Sequence, residues 1–506
     1  MLTYLESRGS NLKRYLLFRI LRSILSIFLV TTLTYTIIYT LVPRRAVFQD
    51  DVQYGKLKGK PDELAEYENT AFSKMGYIEY YNSKKLVDTV KKEHPEVSGE
   101  PTAENQKILE EWTKENGWDL KQFPLNKTYY ATKDVPLPKR VYRFYANMIH
   151  IDHPWKVQDP DNPDMKRSLR ITNDELAGLA LVGSGTQYKY QIYFDKQFPY
   201  IHQNIVHLDL GVSYPTFAGR NVTDVIGGGQ GKSDSKEVTF ADGKTSRSSV
   251  DIYSRQYQMT SQLSERDRKL YGDNYAHTDK NYRDPSMIGI SLRMGVIAVL
   301  LAYGIGIPLA MFMARFKGKL PDKMGIGLVT VLISVPSLAF IYFFRFIGSR
   351  LFGLPDSFPT FGAGDIRSYI LPTIILGLLS ISNIIIWIRR YMIDQQSADY
   401  VKFAKAKGLN SREIARKHIF KNAAIPIVNQ IPMSIIGAIT GATMTETIFA
   451  APGMGKMLPD AIQAHNNPVV MAIVFVFTTV AVTSVLIGDL AMAMVDPRIN
   501  LSEGGK

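Results

Sequence analysis

The chain contains no cysteine. Disulfides and thiolate metal sites are therefore excluded, and any large domain must be held by its own apolar core. No segment reads G-x-S-x-G, and no other nucleophile motif appears. The phosphate-loop pattern G-x-x-x-x-G-K-[ST] is also missing. GGGQGKS, residues 227–233, comes nearest, but the pattern's first glycine would fall at 226, where Ile226 stands. We read that stretch as a flexible linker, and no residue of the chain as catalytic. Acidic groups are scarce outside one region: of 47 Asp+Glu, only 12 lie outside residues 43–285.

Long apolar runs are what the chain does have. Mean hydropathy is close to zero, at −0.07, because these runs are averaged with a polar segment. Six stretches approach the roughly 20 apolar residues that a bilayer core requires. They cover about 15–42, 286–314, 324–347, 368–393, 424–449 and 469–495. The first is longer than a signal-peptide core, and Pro43, Arg44 and Arg45 come after it instead of a small-x-small cleavage site. It reads as a retained helix.

Charge orients the spans. Residues 43–285 carry 35 basic and 35 acidic groups, so the net charge of +13 belongs to the membrane part and its short loops. Basic residues in short loops stay cytoplasmic. Arg8, Lys13, Arg14, Arg19 and Arg22 come before the apolar run of the first span; Arg315, Lys317, Lys319 and Lys323 separate the second and third. Arg389, Arg390, Lys402, Lys405, Lys407, Arg412, Arg416, Lys417 and Lys421 lie between the fourth and fifth. This places both termini inside and residues 43–285 outside. Topology accounts for the basic balance, so a nucleic-acid partner is not needed.

Residues 43–285 are too many for a loop and include Trp112, Trp118 and Trp155, enough for a core. Helical patterning in 61–121 and alternation in 128–260 predict a mixed α/β domain. Its apparent metal motifs are weak. DPDNPD at 159–164 lacks the glycine of a calcium loop and reads as a turn. His150, Asp152 and His153 have no identifiable further ligand, and no metal site is expected.

The segment DYVKFAKAKGLNSREIARKHIFKNAAIPIV, 399–428, is polar between two apolar spans. Tyr400 to Lys407 suit a short helix with small residues Ala404 and Ala406. Gly408 suits its end. Asn410 with Glu413 fits a capping box for a second short helix, and Pro426 marks the start of the fifth span. By spacing alone this is either a solvated connecting loop or a docking knob for a cytoplasmic partner.

At these residues the sequence resembles a family. YVKFAKAKGL and HIFKNAAIP look like the cytoplasmic loop of ABC importer permeases of the peptide/nickel class. ETIFAAPGMG at 446–455, AMAMVDPRI at 491–499, GLPDSFPTFG at 353–362 and LDLGVSYPTFAGRNVTDVI at 208–226 are similar to further segments of that class. Lys402 and Phe403 stand where the wider importer family opens its loop on an acidic residue. The matches cover the first span and about 203–500. Residues 45–200 and 227–280 look inserted, which resembles the enlarged B-type, streptococcal Ami/Opp-like form.

The resemblance implies an α-helical polytopic membrane protein of the type I ABC importer permease fold: six transmembrane helices with a large inserted extracellular mixed α/β domain. Its parts would be 1–42 (N-terminus and first helix), 43–285 (inserted domain), 286–496 (membrane core with coupling loop 394–423) and a cytoplasmic tail, 497–506. It further implies an ATP-driven oligopeptide importer in the cytoplasmic membrane of a Gram-positive bacterium. This chain would bind no cofactor; ATP and Mg would sit on two partner ATP-binding subunits. A second homologous permease subunit would complete the pore, and an extracellular peptide-binding lipoprotein would deliver the peptide. Tyr400, Phe403, Ala404, Ala406, Lys407, Gly408, Leu409 and Glu413 are the expected coupling residues. Asn383, Glu446, Pro452, Gly453 and Asp489 are candidates for pathway or gating roles, with structural pairing the favoured role for Glu446 and Asp489. Arg293 and Arg345 are further polar groups in the spans, and Pro308, Pro336 and Pro432 are expected kinks. A membrane-anchored enzyme or a sensor would require a nucleophile–base pair or a cytoplasmic signalling domain, and the sequence offers neither.

Overall fold

The structure is a computed structural model that describes residues 2–196, 200–215, 219–228 and 231–495. It divides into two compact units. One joins Met1–Pro43 to Ser286–Lys506, and the other is Arg44–Pro285. The expected tail, 497–506, and the DPR motif at 496–498 lie outside the described residues.

The first unit is helical because its segments are apolar on every side. A backbone in lipid must satisfy its own N–H and C=O groups, and a helix does so internally. Among the described residues, five helices are long and apolar enough to cross a membrane: Leu17–Leu41 within the longer Leu2–Leu41 helix, Met287–Arg315, Arg367–Gln396, Ser411–Phe449 and Asn467–Met492. The third expected span differs. It is not one straight helix but a pair, Leu320–Ser334 and Ser337–Phe352, bent by 107°. The bend falls at Val335 and Pro336. A residue before proline is pushed out of the helical region, and Val335 is extended, with φ −78° and ψ 126°. Pro308 and Pro432, by contrast, sit inside uninterrupted helices.

Small residues let the second and fourth spans approach closely, the usual device where lipid supplies no hydrophobic drive. A Cβ on Gly377 would meet the Ala298 carbonyl oxygen at 3.1 Å, and one on Gly306 would meet Ile384 at 2.9 Å. Tyr303 and Ser434 share a hydrogen bond of 2.9 Å between the second and fifth spans.

The Arg44–Pro285 unit is mixed α/β. Strands β1 (Ile78–Tyr81), β2 (Asp119–Gln122) and β3 (Tyr129–Asp134) form an antiparallel sheet with β3 in the centre. Leu86, Val90, Leu109 and Trp112 from the helices Ser83–Val90 and Ala103–Glu115 pack with Tyr129 and Ala131 of β3. Strand β4 (Ile149–Ile151) pairs with β9 (Val206–Leu208) as a two-stranded ribbon. Strands β5 (Ser168–Asp174), β6 (Gly178–Ser184), β7 (Tyr190–Phe194) and β8 (Ile201–Gln203) form a four-stranded antiparallel sheet in that order. One face of it is covered by a core of Ala180, Val182, Tyr190, Tyr193 and Tyr253.

Candidate functional site

The polar segment after the fourth span begins with a short helix, Asp399–Ala406. Val401 and Ala404 are buried, in one core with Met313, Ile388, Met392, Ile414 and Ile419. The helix ends in a Schellman arrangement: Gly408 N–H donates to the Lys405 carbonyl at 3.0 Å and Leu409 N–H to the Ala404 carbonyl at 3.3 Å. That turn places Gly408 at φ +79°, a left-handed conformation that side chains resist. Asn410 then caps the next helix, its Oδ1 accepting from Glu413 N–H at 2.8 Å. The capping box is half made, because the Glu413 carboxylate accepts from Lys417 at 2.7 Å.

The expected second short helix is instead the start of a long one. Ser411–Glu413, a π segment Ile414–Phe420 and the helix Lys421–Phe449 run on without a break. Pro426 therefore lies inside the helix and does not mark its start. Proline is tolerated in membrane helices where neighbouring groups satisfy the freed carbonyl. The turn at Gly408 thus leads, through Asn410, into a continuous helical rod of 39 residues.

The outer surface of the hairpin is basic around one aromatic ring. Phe403 is 70% exposed, and Lys402, Lys405, Ala406, Lys407, Gly408 and Arg412 are exposed around it. Leu409 is half-buried, and the Tyr400 hydroxyl donates to Gln395 at 2.8 Å. A cavity of about 1030 Å³ lies beside the hairpin, lined in part by Met311, Arg315, Gln396, Lys405 and Arg412. Of the eight expected coupling residues, all on this hairpin, Ala404 is buried, Tyr400, Leu409 and Glu413 are half-buried, and Phe403, Ala406, Lys407 and Gly408 are exposed.

An ion pair that the sequence reading missed ties the same region together. Arg389 donates from Nε and Nη2 to the two Asp322 oxygens at 2.6 and 2.7 Å, and Gly318 N–H donates to Asp322 at 2.7 Å. The Asp322 side chain is 2% exposed. A lone acid among Arg315, Lys317, Lys319 and Lys323 was its signal.

The residues expected along a pathway separate into three places. Glu446 is fully buried. It accepts from the Ser291 hydroxyl at 2.6 Å and from Lys456 N–H at 2.8 Å, while Met454 N–H donates to Ser291 at 2.7 Å. A Cβ on Gly453 would collide with the Glu446 carboxylate. Glu446 and Gly453 thus pack together at the start of the Met454–Gln463 helix, beside Pro452. Asp489 is paired with Arg19 of the first span. Only Asn383 stays open. It is exposed with Ile386, Trp387 and Arg390 on one stripe of the fourth span. Arg345 donates to the Ile448 carbonyl at 3.0 Å, and Arg293 is exposed.

In the Arg44–Pro285 unit the apparent metal motifs have structural roles. Asp152 is buried and accepts from Gln187 N–H at 2.7 Å, Tyr188 N–H at 2.9 Å and the Gln191 amide at 2.8 Å. Asp159 closes a turn and accepts from the Tyr257 hydroxyl at 2.7 Å. Among the described residues, no group of three or more His, Asp or Glu side chains could hold a metal. Part of the 227–233 stretch, 229–230, lies outside the described residues.

Residues 306–501 match the family model of the binding-protein-dependent transport system inner membrane component. The chain is 51% identical over 500 residues to the oligopeptide transport system permease protein AmiC of Streptococcus pneumoniae, covering 98% of this chain and 100% of that protein. It is 34% identical over 214 residues to the dipeptide transport system permease protein DppB of Lactococcus lactis, covering 42% of this chain and 69% of that protein. Among solved structures, an inward-facing MetNI methionine ABC transporter chain aligns at 14% identity and a TM-score of 0.33, over 41% of this chain and 93% of that one. The long match reaches across the inserted unit as well as the membrane helices, and the chain belongs to the family of binding-protein-dependent transport system inner membrane components, as an ABC importer permease and not an enzyme.

Proposed function

We propose that this permease imports oligopeptides and that the 399–421 hairpin is where ATP-driven motion enters it. The observation that carries the reading is the attachment of the Gly408 turn to the Ser411–Phe449 rod. A load applied at the exposed Phe403 surface reaches the membrane core along continuous helix beyond the Gly408 turn. At ~1.5 Å per residue the rod is about 58 Å long, enough to cross a bilayer and project beyond it. Two partner ATP-binding subunits hold ATP and Mg. One receives the hairpin; a second homologous permease completes the pore. An extracellular lipoprotein delivers the peptide. Both termini are cytoplasmic and residues 43–285 extracellular, an orientation supported by the basic groups of the short loops.

The chain's own contribution is mechanical. Val401 and Ala404 anchor the short helix in the core shared with the second and fourth spans. Asp322 and Arg389 fix the fourth span to the start of the bent pair. Closure of the ATPases then moves these helices as a set. Asn383, on an exposed stripe of the fourth span, is the residue among the candidates that is left to face the second permease or the cargo.

The test is ATP-dependent uptake of a labelled peptide ladder by cells carrying Gly408→Ala or Gly408→Trp. A Cβ at 408 meets nothing within 4 Å, so alanine probes the backbone alone. At φ +79° it costs ~1 kcal/mol and lowers uptake partially. Tryptophan adds bulk to the docking surface and abolishes uptake while the protein still reaches the membrane. Normal uptake with tryptophan reduces the hairpin to a connecting loop.

A further inference from the structure

Strand β5 is an open sheet edge. Among the described residues it pairs only with β6, in a seven-residue register from Ser168↔Ser184 to Asp174↔Gly178 with no bulge. Among the described residues no other backbone group bonds to its outer side. Leu169, Arg170, Ile171, Thr172 and Asn173 are all exposed, Ile171 by 79%. Natural sheets protect such edges with proline, bulges, inward charges or a covering element. β5 carries no proline and no bulge, and among the described residues nothing covers it; its charges, Arg170 and Asp174, lie on the face opposite Leu169 and Ile171 and leave the outer row of backbone groups open. An uncovered edge of this length is a template for another extended chain.

The surroundings specify the chain. Cross-strand pairing puts Leu169, Ile171, Leu179, Leu181, Ile192 and Phe194 on one face of the sheet. The opposite face is the one covered by the tyrosine core. A strand laid along β5 therefore sets every second side chain beside Leu169 and Ile171. The ends of β5 carry opposite charge. Lys166 lies just before it and Glu175 just after it; both are exposed, and neither has an ion-pair partner among the described residues. Arg167 is turned inward, donating to the Pro154 carbonyl at 2.7 Å. An antiparallel peptide would place its carboxylate at Lys166 and its ammonium group at Glu175. The seven residues span about 24 Å at ~3.4 Å each, the length of a peptide of similar size. A lipid surface would want cations spread over one plane, and it offers nothing to a row of backbone groups.

We infer that β5 is a peptide-binding edge, which captures an extended oligopeptide antiparallel to itself through main-chain hydrogen bonds. This rests on the oligopeptide reading above and assigns that cargo a site on the inserted unit. The recognition is suited to cargo of varied sequence, because the backbone is what all peptides share. Side-chain preference is confined to the alternate positions beside Leu169 and Ile171, and terminal charge sets the direction.

The test uses the full chain in lipid nanodiscs with no lipoprotein present. The probe is an octapeptide with alternating Val and Thr, free termini and a fluorophore on a central side chain. Binding is read by anisotropy. Two versions carry backbone N-methyl groups at odd or at even positions. One phase should lose affinity on the order of tenfold or more and the other should keep it, the signature of a single paired edge. Lys166→Glu should weaken the free peptide about fivefold and leave its C-terminal amide unaffected; Glu175→Lys should do the same for the free and N-acetylated forms. Equal binding of both N-methyl phases overturns the inference. So does an Ile171→Asp variant that folds and still binds the peptide normally. Uptake of the same peptide by cells is scored separately. Uptake with no phase dependence of binding rejects the edge and leaves the transport reading standing, whereas phase-dependent binding without uptake rejects the transport reading and leaves the edge.

Discussion

Asp322 and Arg389 show how a single buried pair can organise a membrane unit. Removing one partner of such a pair leaves the other charge uncompensated, at a cost of ~3–5 kcal/mol. Replacing both with apolar residues is far milder. Asp322→Ala should therefore lower the thermal midpoint of the detergent-solubilised chain clearly, and Asp322→Ala with Arg389→Met should recover more than half of that loss. Equal midpoints for the single and double variants would mean that the two side chains do not depend on each other. Glu446 poses a related question. Its two oxygens accept from Ser291 and Lys456 N–H, so Glu446→Gln keeps one acceptor and Glu446→Ala keeps none. The alanine variant should lose about 1–3 kcal/mol more than glutamine. The chain pointed to structural pairing for Glu446, and a lone acid among basic residues marked Asp322, but neither partner was readable from it. The partners of Asp322 and Glu446 stand 67 and 155 positions away in sequence, and only the fold brings them together.

At the scale of the element, local chemistry was legible and direction was not. Gly408 and Asn410 announced a helix end and a helix start within three residues, because turn and cap chemistry act over a few bonds. The same reading missed the π segment and the run-through at Pro426, which depend on what neighbouring helices supply. Hydropathy also hid the bend at Val335 and Pro336, since a window average records composition and not course. Proline was the clue, but Pro308 and Pro432 carry it too without a break. The cap gives a direct check. Asn410→Ala removes the acceptor for Glu413 N–H and should cost ~1 kcal/mol. Amide exchange over residues 411–420 should speed up several-fold, with 430–449 unchanged. Uniform protection in both stretches would show that the cap is dispensable.

For the molecule as a whole, what matters is that the Arg44–Pro285 unit has cores of its own. Leu86, Leu109 and Trp112 fill one; Phe48, Ala71 and Tyr214 fill another; Phe240, Tyr271 and Ala276 fill a third. With no cysteine to staple it, the unit should unfold cooperatively when produced alone, and its transition should ignore reductant. Its carboxylates set the pH dependence in two opposite senses. Hydrogen bonds from the Arg143 guanidinium hold Glu79 below the usual carboxylate range. Burial would raise Asp174, but the Tyr190 hydroxyl, Lys189 and two backbone amides outweigh it and lower that group as well. Groups lowered by folding stabilise above their unfolded value, near ~4, and that stability is lost as pH falls through the folded value. Burial pushes Asp251 up, against the pull of the Tyr253 amide. A raised carboxyl acts the other way: its contribution is present at low pH and is lost as pH rises through the folded value. Asp251→Asn keeps an acceptor for Tyr253 N–H, 3.0 Å away, and removes the buried charge. The variant should therefore melt higher than the parent at pH 7.5, and the gap should narrow as pH falls through the folded value of the parent's Asp251. Tryptophan fluorescence from Trp112, Trp118 and Trp155 tracks both transitions, and a gap independent of pH would mean that the charge of Asp251 is not what the substitution relieves.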